Sequence, residues 1–145
     1  MLALVAGSCG YHLGPAPLAL SAVSLGQVRA YAGDAGPEEE LRAALADGLA
    51  RRGVASGGPT LDATVLSAED RALSVGAALQ QIELQVSFEL WSSPPQQLSL
   101  IDREPYALAP EDPLGTEQNR RAALRVVAGR LADDALSSLL GGGRP

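Results

Sequence analysis

Gln80-Gln81-Ile82-Glu83-Leu84-Gln85-Val86-Ser87-Phe88-Glu89-Leu90-Trp91 alternates apolar and polar side chains without a break from Ile82 to Leu90. Successive side chains of an extended chain point to opposite faces. Ile82, Leu84, Val86, Phe88 and Leu90 therefore share one face, and Glu83, Gln85, Ser87 and Glu89 share the other. Strict period two over this length predicts a long antiparallel strand, buried on one side and polar on the other. Ser92-Ser93-Pro94-Pro95 forces a turn, and Leu98 to Tyr106 is expected to return as the hairpin partner. Upstream, Thr60 to Ser67 sets Leu61, Ala63 and Val65 against Asp62 and Thr64, a second alternating strand. Ala68 to Ala78, polar and then rich in Gly and Ala, reads as a loop at a hairpin tip.

Two helices frame these strands. Pro37 stands where proline favours the first helical position, and Glu38, Glu39 and Glu40 face the positive end of the helix dipole. Leu41, Ala44, Leu45, Gly48 and Leu49 recur at helical spacing as one buried stripe. Glu38 with Arg42 and Asp47 with Arg51 are i,i+4 pairs on the wet side, and Gly53 suits the left-handed turn that ends the helix. Leu20 to Tyr31 has the Val and Leu content of a first strand, followed by a turn at Gly33-Asp34-Ala35-Gly36. Beyond Pro110 and Pro113, Thr116 is placed to cap a last helix whose first turn holds Glu117. Leu124, Val127, Leu131, Ala135 and Leu139 form its buried stripe, and Gly141-Gly142-Gly143 ends it. The order strand, helix, three strands, helix predicts an α+β two-layer sandwich. Two helices pack on one face of a mostly antiparallel four-stranded sheet, leaving the other face polar.

Composition narrows the function. The hydrophobic fraction of 46% is enough for one core, built mainly from Leu, Val and Ala because the chain has one Trp, three Tyr and one Phe. A net charge of −6 disfavours nonspecific nucleic-acid binding, which needs a basic surface. The eleven basic residues are all arginine. A single cysteine excludes an intramolecular disulfide and a Cys-rich zinc site. A single histidine, His12, leaves no His-dependent triad or cluster, and no glycine-rich phosphate loop follows a strand. An enzyme is not expected.

The cysteine has its own context, Val5-Ala6-Gly7-Ser8-Cys9-Gly10-Tyr11-His12-Leu13. Small residues before a cysteine admit the backbone into the cleft of a lipoprotein signal peptidase. The thiol then carries a diacylglycerol, and the new amino group can take a third chain, which together anchor stably where one chain does not. Met1 to Val5 is short and holds no Arg or Lys, so the natural start is expected upstream. The other reading of Cys9 is an ordinary thiol near a terminus. Gly14-Pro15-Ala16-Pro17 reads as a stiff spacer. The expected organisation is a signal segment at 1–8, a lipidated tether at 9–19, one domain at 20–140 and a flexible tail at 141–145.

Cys9-Gly10-Tyr11-His12-Leu13-Gly14 resembles the Cys-Gly-aromatic-x-Leu-x-Gly opening of the lipopolysaccharide-assembly lipoproteins of the LptE family. The downstream sequence is similar too: a first strand, an acidic-started helix ending in Arg51-Arg52-Gly53, and a short strand at Asp62-Ala63-Thr64-Val65. A long alternating hairpin and a C-terminal amphipathic helix complete the likeness. The resemblance implies a non-enzymatic protein at the periplasmic side of the outer membrane, lipid-anchored. Its implied role is to plug the LptD β-barrel and help deliver lipopolysaccharide to the cell surface. No cofactor is implied beyond the lipid on Cys9. Gly10 is not the Asp that in many such bacteria holds a lipoprotein in the inner membrane.

The chain departs from relatives in lacking both a Val-rich segment within Leu18 to Tyr31 and any lysine to meet lipid A phosphates. Arg71 and Arg103 are then the candidates for lipopolysaccharide contact, since a guanidinium can bond phosphate through two parallel N–H groups. Isolated surface arginines are also commonly just solvated or paired. Trp91 reads either as a partner-contact anchor or as the end of the core, and Tyr11 and His12 as residues that help the chain leave the membrane. The alternative function is an auxiliary lipoprotein of another envelope machine, such as a lipid-trafficking transporter or a pilus or peptidoglycan-synthase activator.

Overall fold

A computed structural model describes residues 21–31, 36–73 and 78–141. The elements run β1 (Ala22–Ala30), α1 (Pro37–Arg51), β2 (Ala55–Ala72), β3 (Leu79–Trp91), β4 (Gln96–Ala107) and α2 (Pro113–Leu140). The sheet has the order β1-β2-β3-β4. β1 runs parallel to β2, and the other two pairings are antiparallel. A parallel pair needs a crossover, and α1 supplies it. Both helices pack on one face, so the expected two-layer sandwich on a mostly antiparallel sheet is what forms. The tether, Cys9, His12, the turn at 33–35 and residues 142–145 lie outside the described residues.

β3 follows its alternation. Ile82, Leu84, Val86 and Phe88 are fully buried and Leu90 nearly so, facing Leu41 and Leu45 of α1 and Leu124, Val127 and Leu131 of α2 in one hydrophobic cluster. In α1, Leu41, Leu45, Gly48 and Leu49 are buried. A Cβ on Gly48 would come within 2.6 Å of Leu136 Cδ1, so glycine lets the two helices approach closely. Arg51 pairs with Asp47 at 3.0 Å as expected, and Gly53 takes φ +65° after the helix. Arg42, expected to pair with Glu38, instead donates to the carbonyls of Gly26 and Val28, because the edge of β1 passes beneath it.

Two readings are corrected. β2 continues to Ala72, so Ala68 to Ala72 is strand and the expected loop shrinks to its last residues. The cause is a bulge between Val65 and Ser67, where one extra residue breaks the alternation and turns the odd positions from the helix face to the open face. Beyond it Ala68 and Asp70 face the helices, whereas Ser67, Glu69 and Arg71 face out, a pattern that a fixed period of two reads as polar loop. The second correction concerns α2. It starts at Pro113 with Asp112 as its cap, and the Asp112 carboxylate accepts the Gly115 N–H at 3.0 Å. Thr116 lies inside the helix and ties back to Ala109, its hydroxyl accepting that residue's N–H at 2.8 Å. The α2 stripe is wider than expected: Ala123, Ala128, Ala132, Leu136 and Leu140 join the five expected residues, because α2 packs on α1 as well as on the sheet.

Candidate functional site

The face of the sheet turned away from the helices carries the predicted site residues. Glu69 on β2, Glu83 on β3 and Arg103 on β4 lie in register across three strands, with Arg71 two residues along from Glu69. Arg71 Nη2 is 2.9 Å from Glu69 Oε2 and 3.2 Å from Glu83 Oε1, and Arg103 Nε is 2.6 Å from Glu83 Oε2. The last contact is a charge pair outside hydrogen-bonding angles, so Glu83 Oε2 accepts no hydrogen bond. Both arginine side chains remain more than half exposed, while the Glu83 side chain is 7% exposed beneath them.

Glu69 and Glu83 face each other directly, an arrangement that repels unless a cation bridges it, and Arg71 is that bridge. The Arg71 guanidinium holds its proton more tightly than usual, chiefly through its hydrogen bond to Glu69 and then the charge of Glu83. The structure thus brings the two predicted arginines onto one carboxylate. The cluster of two arginines and two glutamates has no net charge, and each arginine meets the glutamates through a single nitrogen, Arg71 Nη2 and Arg103 Nε.

The other end of this face carries Trp91, which is 58% exposed and does not complete the core. Its indole N–H donates to Asp62 Oδ2 at 2.9 Å, and Asp62 Oδ1 accepts the Gln27 N–H at 2.7 Å. One carboxylate therefore orients the ring and holds the irregular part of β1. Glycine at position 26 makes room for this contact, since a Cβ there would overlap Thr60 Cγ2 and the same Asp62 carboxylate. A shallow recess of about 250 Å³ beside the ring is lined by Glu89, Leu90, Trp91, Pro95, Gln96 and Gln97. Between the two ends lie Thr64, Ser87, Gln85, Ser99 and the half-exposed Ile101.

A polar cluster under the helix face has no signature in the sequence. Tyr106 is nearly buried and its hydroxyl donates to Asp70 Oδ1 at 2.8 Å, with the Gln80 amide 2.6 Å away. Arg120 Nε of α2 donates to both Asp70 oxygens, at 2.9 and 3.2 Å. Burial, then the hydrogen bond and charge of Asp70, push the Tyr106 phenol up to about 12. Asp70 and Arg120 are far apart in sequence, and only the bulge in β2 turns Asp70 toward the helix. Among the described residues no group of His, Cys, Asp and Glu is arranged to hold a metal ion.

The two-layer α+β fold is similar to that of several solved bacterial lipoproteins. Rare lipoprotein B from Shewanella oneidensis is 18% identical with a TM-score of 0.61, over 83% of this chain and 94% of that one. A minor lipoprotein from Acinetobacter baumannii is 19% identical with a TM-score of 0.59, over 89% and 100%. PelC from Paraburkholderia phytofirmans, solved as a dodecamer, is 16% identical with a TM-score of 0.55, over 91% and 94%. At these identities the likeness is one of fold. No curated protein matches the chain. The LptE lipopolysaccharide-assembly family model matches residues 20–139. The chain belongs to that family, whose members are non-enzymatic lipoproteins.

Proposed function

We propose that this protein is an outer-membrane lipoprotein that assists lipopolysaccharide assembly as the plug and partner of an LptD-like β-barrel. The family match over residues 20–139 carries the reading. A sheet face lined by Gln, Ser, Thr, Arg and Glu suits a wet barrel lumen, and the mechanism is steric: a rigid sandwich fills the lumen and organises the path. No helix among the described residues is long and apolar enough to cross a membrane, which fits attachment through lipid on Cys9. A pull-down from outer membranes is expected to recover a large β-barrel protein. Recovery of inner-membrane partners alone overturns the proposal. In a Cys9→Ala variant produced without the barrel partner the protein is expected to leave the membrane fraction, and continued fractionation with membranes there refutes lipidation at that residue.

Arg71 and Arg103 are the proposed contacts to lipid A phosphates, engaged through their solvent-facing guanidinium edges while Glu83 stays paired beneath them. Because both guanidiniums are exposed and screened, each contact is expected to change affinity by a factor of about five at most. Titration of lipopolysaccharide against the Arg71→Ala and Arg103→Ala variants is expected to show weakening of that size. Unchanged affinity in the double variant removes these residues from the site. A second reading, an auxiliary lipoprotein of another envelope machine, is supported by the shared fold of PelC. A pull-down that returns a different export or assembly complex favours it.

A further inference from the structure

The two edges of the sheet are protected very unequally. Along β1, register breaks at Ala22/Ser24 and Leu25/Val28 disrupt the edge, and Arg42 occupies the carbonyls of Gly26 and Val28. β4 is regular from Gln96 to Ala107. Its inward positions are set by Leu108, whose N–H donates to the Ala78 carbonyl of the neighbouring segment. Because direction alternates, the main-chain groups of Gln97, Ser99, Ile101, Arg103, Pro105 and Ala107 point away from the sheet.

The second half of that row is closed by four devices. Arg103 N–H donates to Asp102 Oδ1 at 2.8 Å, and the Arg103 carbonyl accepts from Arg130 Nη2 at 2.7 Å. Pro105 has no N–H to offer. Asn119 Nδ2 donates to the Ala107 carbonyl at 3.0 Å. Arg130 is fixed over the edge by Asp102 at 2.6 Å and Glu104 at 2.8 Å. The first half is bare. Among the described residues no side chain reaches the main-chain groups of Gln97, Ser99 or Ile101, and Gln96-Gln97-Leu98-Ser99-Leu100-Ile101 carries no charge. An open, uncharged edge is a template for another strand.

We propose that this edge pairs with the same edge of a second copy, antiparallel and two-fold symmetric about Ser99. The register is dictated by the residues themselves. With Ser99 on the dyad, Gln97 of each copy faces Ile101 of the other, so all three free outward positions are used in about six main-chain hydrogen bonds. The same register sets Pro95, which has no N–H, opposite Arg103, whose main-chain groups are already occupied. Moving the dyad to Ile101 sets Ser99 against Arg103 and Gln97 against Pro105, and loses those bonds. On the helix side Leu98 of one copy meets Leu100 of the other, covering two side chains that the single chain leaves partly buried. No like charges face each other, since Asp102 meets Gln96. Such an edge is small beside a standard interface, so the dimer is weak and concentration-dependent.

Sedimentation equilibrium of the full chain under reducing conditions, which keep Cys9 out of the result, tests this. A monomer–dimer equilibrium is expected, with amide exchange at Gln97, Ser99 and Ile101 slowing as concentration rises. Ser99→Pro removes an outward N–H in each copy, and Ile101→Lys puts a charge on the open edge. Each is expected to raise the dissociation constant about tenfold or more while leaving the thermal midpoint of the monomer in place. A chain that stays monomeric overturns the proposal, as does a dimer indifferent to both substitutions. Protection of those amides only on adding a different protein also overturns it, because the edge then serves another strand.

Discussion

Replacing Phe88 with alanine lowers the free energy of unfolding by about 3–5 kcal/mol. Phe88 is the only phenylalanine in the chain and is fully buried. It sits across from Ala63 on β2 and Leu98 on β4. Its partner Ala63 is small, and the Leu and Val side chains of the cluster it belongs to come from all four strands and both helices. They cannot all move inward together, so the truncation leaves a cavity. Domains of this size have about 5–15 kcal/mol in hand, and the variant is expected to be near the limit of folding at ambient temperature. Urea or guanidinium unfolding followed by circular dichroism checks it. A midpoint within error of the parent means that the sheet–helix interface is not packed around this ring.

Asp70→Ala costs about 1.5–3 kcal/mol, the range for hydrogen bonds to a charged group. It removes the acceptor of both the Tyr106 hydroxyl and the Arg120 guanidinium, and leaves that arginine, 18% exposed, without its partner. The same contact has a signature in pH. Tyr106 holds its proton up to about 12 in the folded protein, against 10.0 for the free side chain. A group whose folded value is raised stabilises fully below its unfolded value. That contribution is therefore complete below pH 10 and is lost as pH climbs through 10 toward 12. Denaturation midpoints measured across this window are expected to fall more steeply in the parent than in the Asp70→Ala variant, where the phenol titrates closer to its ordinary value. Parallel slopes in the two proteins contradict the coupling.

Local periodicity explains what can be read directly from the chain. The buried row of β3 and the core face of α1 depend only on which residues recur at two or at three and four positions, and both stand as expected. The helix start at Pro37 and the left-handed Gly53 are likewise properties of single residues. β2 is legible only as far as Val65. The bulge at Leu66 reverses the parity beyond it, so a strand continuing through Ser67, Glu69 and Arg71 carries the pattern of a polar loop. The cap of α2 falls elsewhere than expected for a different reason: Asp112 and Thr116 are both good capping residues, and Pro113 between them decides for the first.

The candidate site is legible as residues but not as a constellation. Arg71 and Arg103 stand out by charge type alone, and nothing in their sequence positions links them to Glu83. Their convergence depends on the register of three strands. Residue order and period are enough to set the two layers, the faces of β3 and the stripes that bind the helices to it, because hydrophobic burial acts on side chains whose direction the local backbone period sets. Three-dimensional packing alone settles which charges neutralise one another, which carboxylate receives Tyr106 and Arg120, and which stretch of β4 stays open. Those outcomes depend on distances between residues far apart in the chain, and a single bulged residue in β2 is enough to redirect half of them.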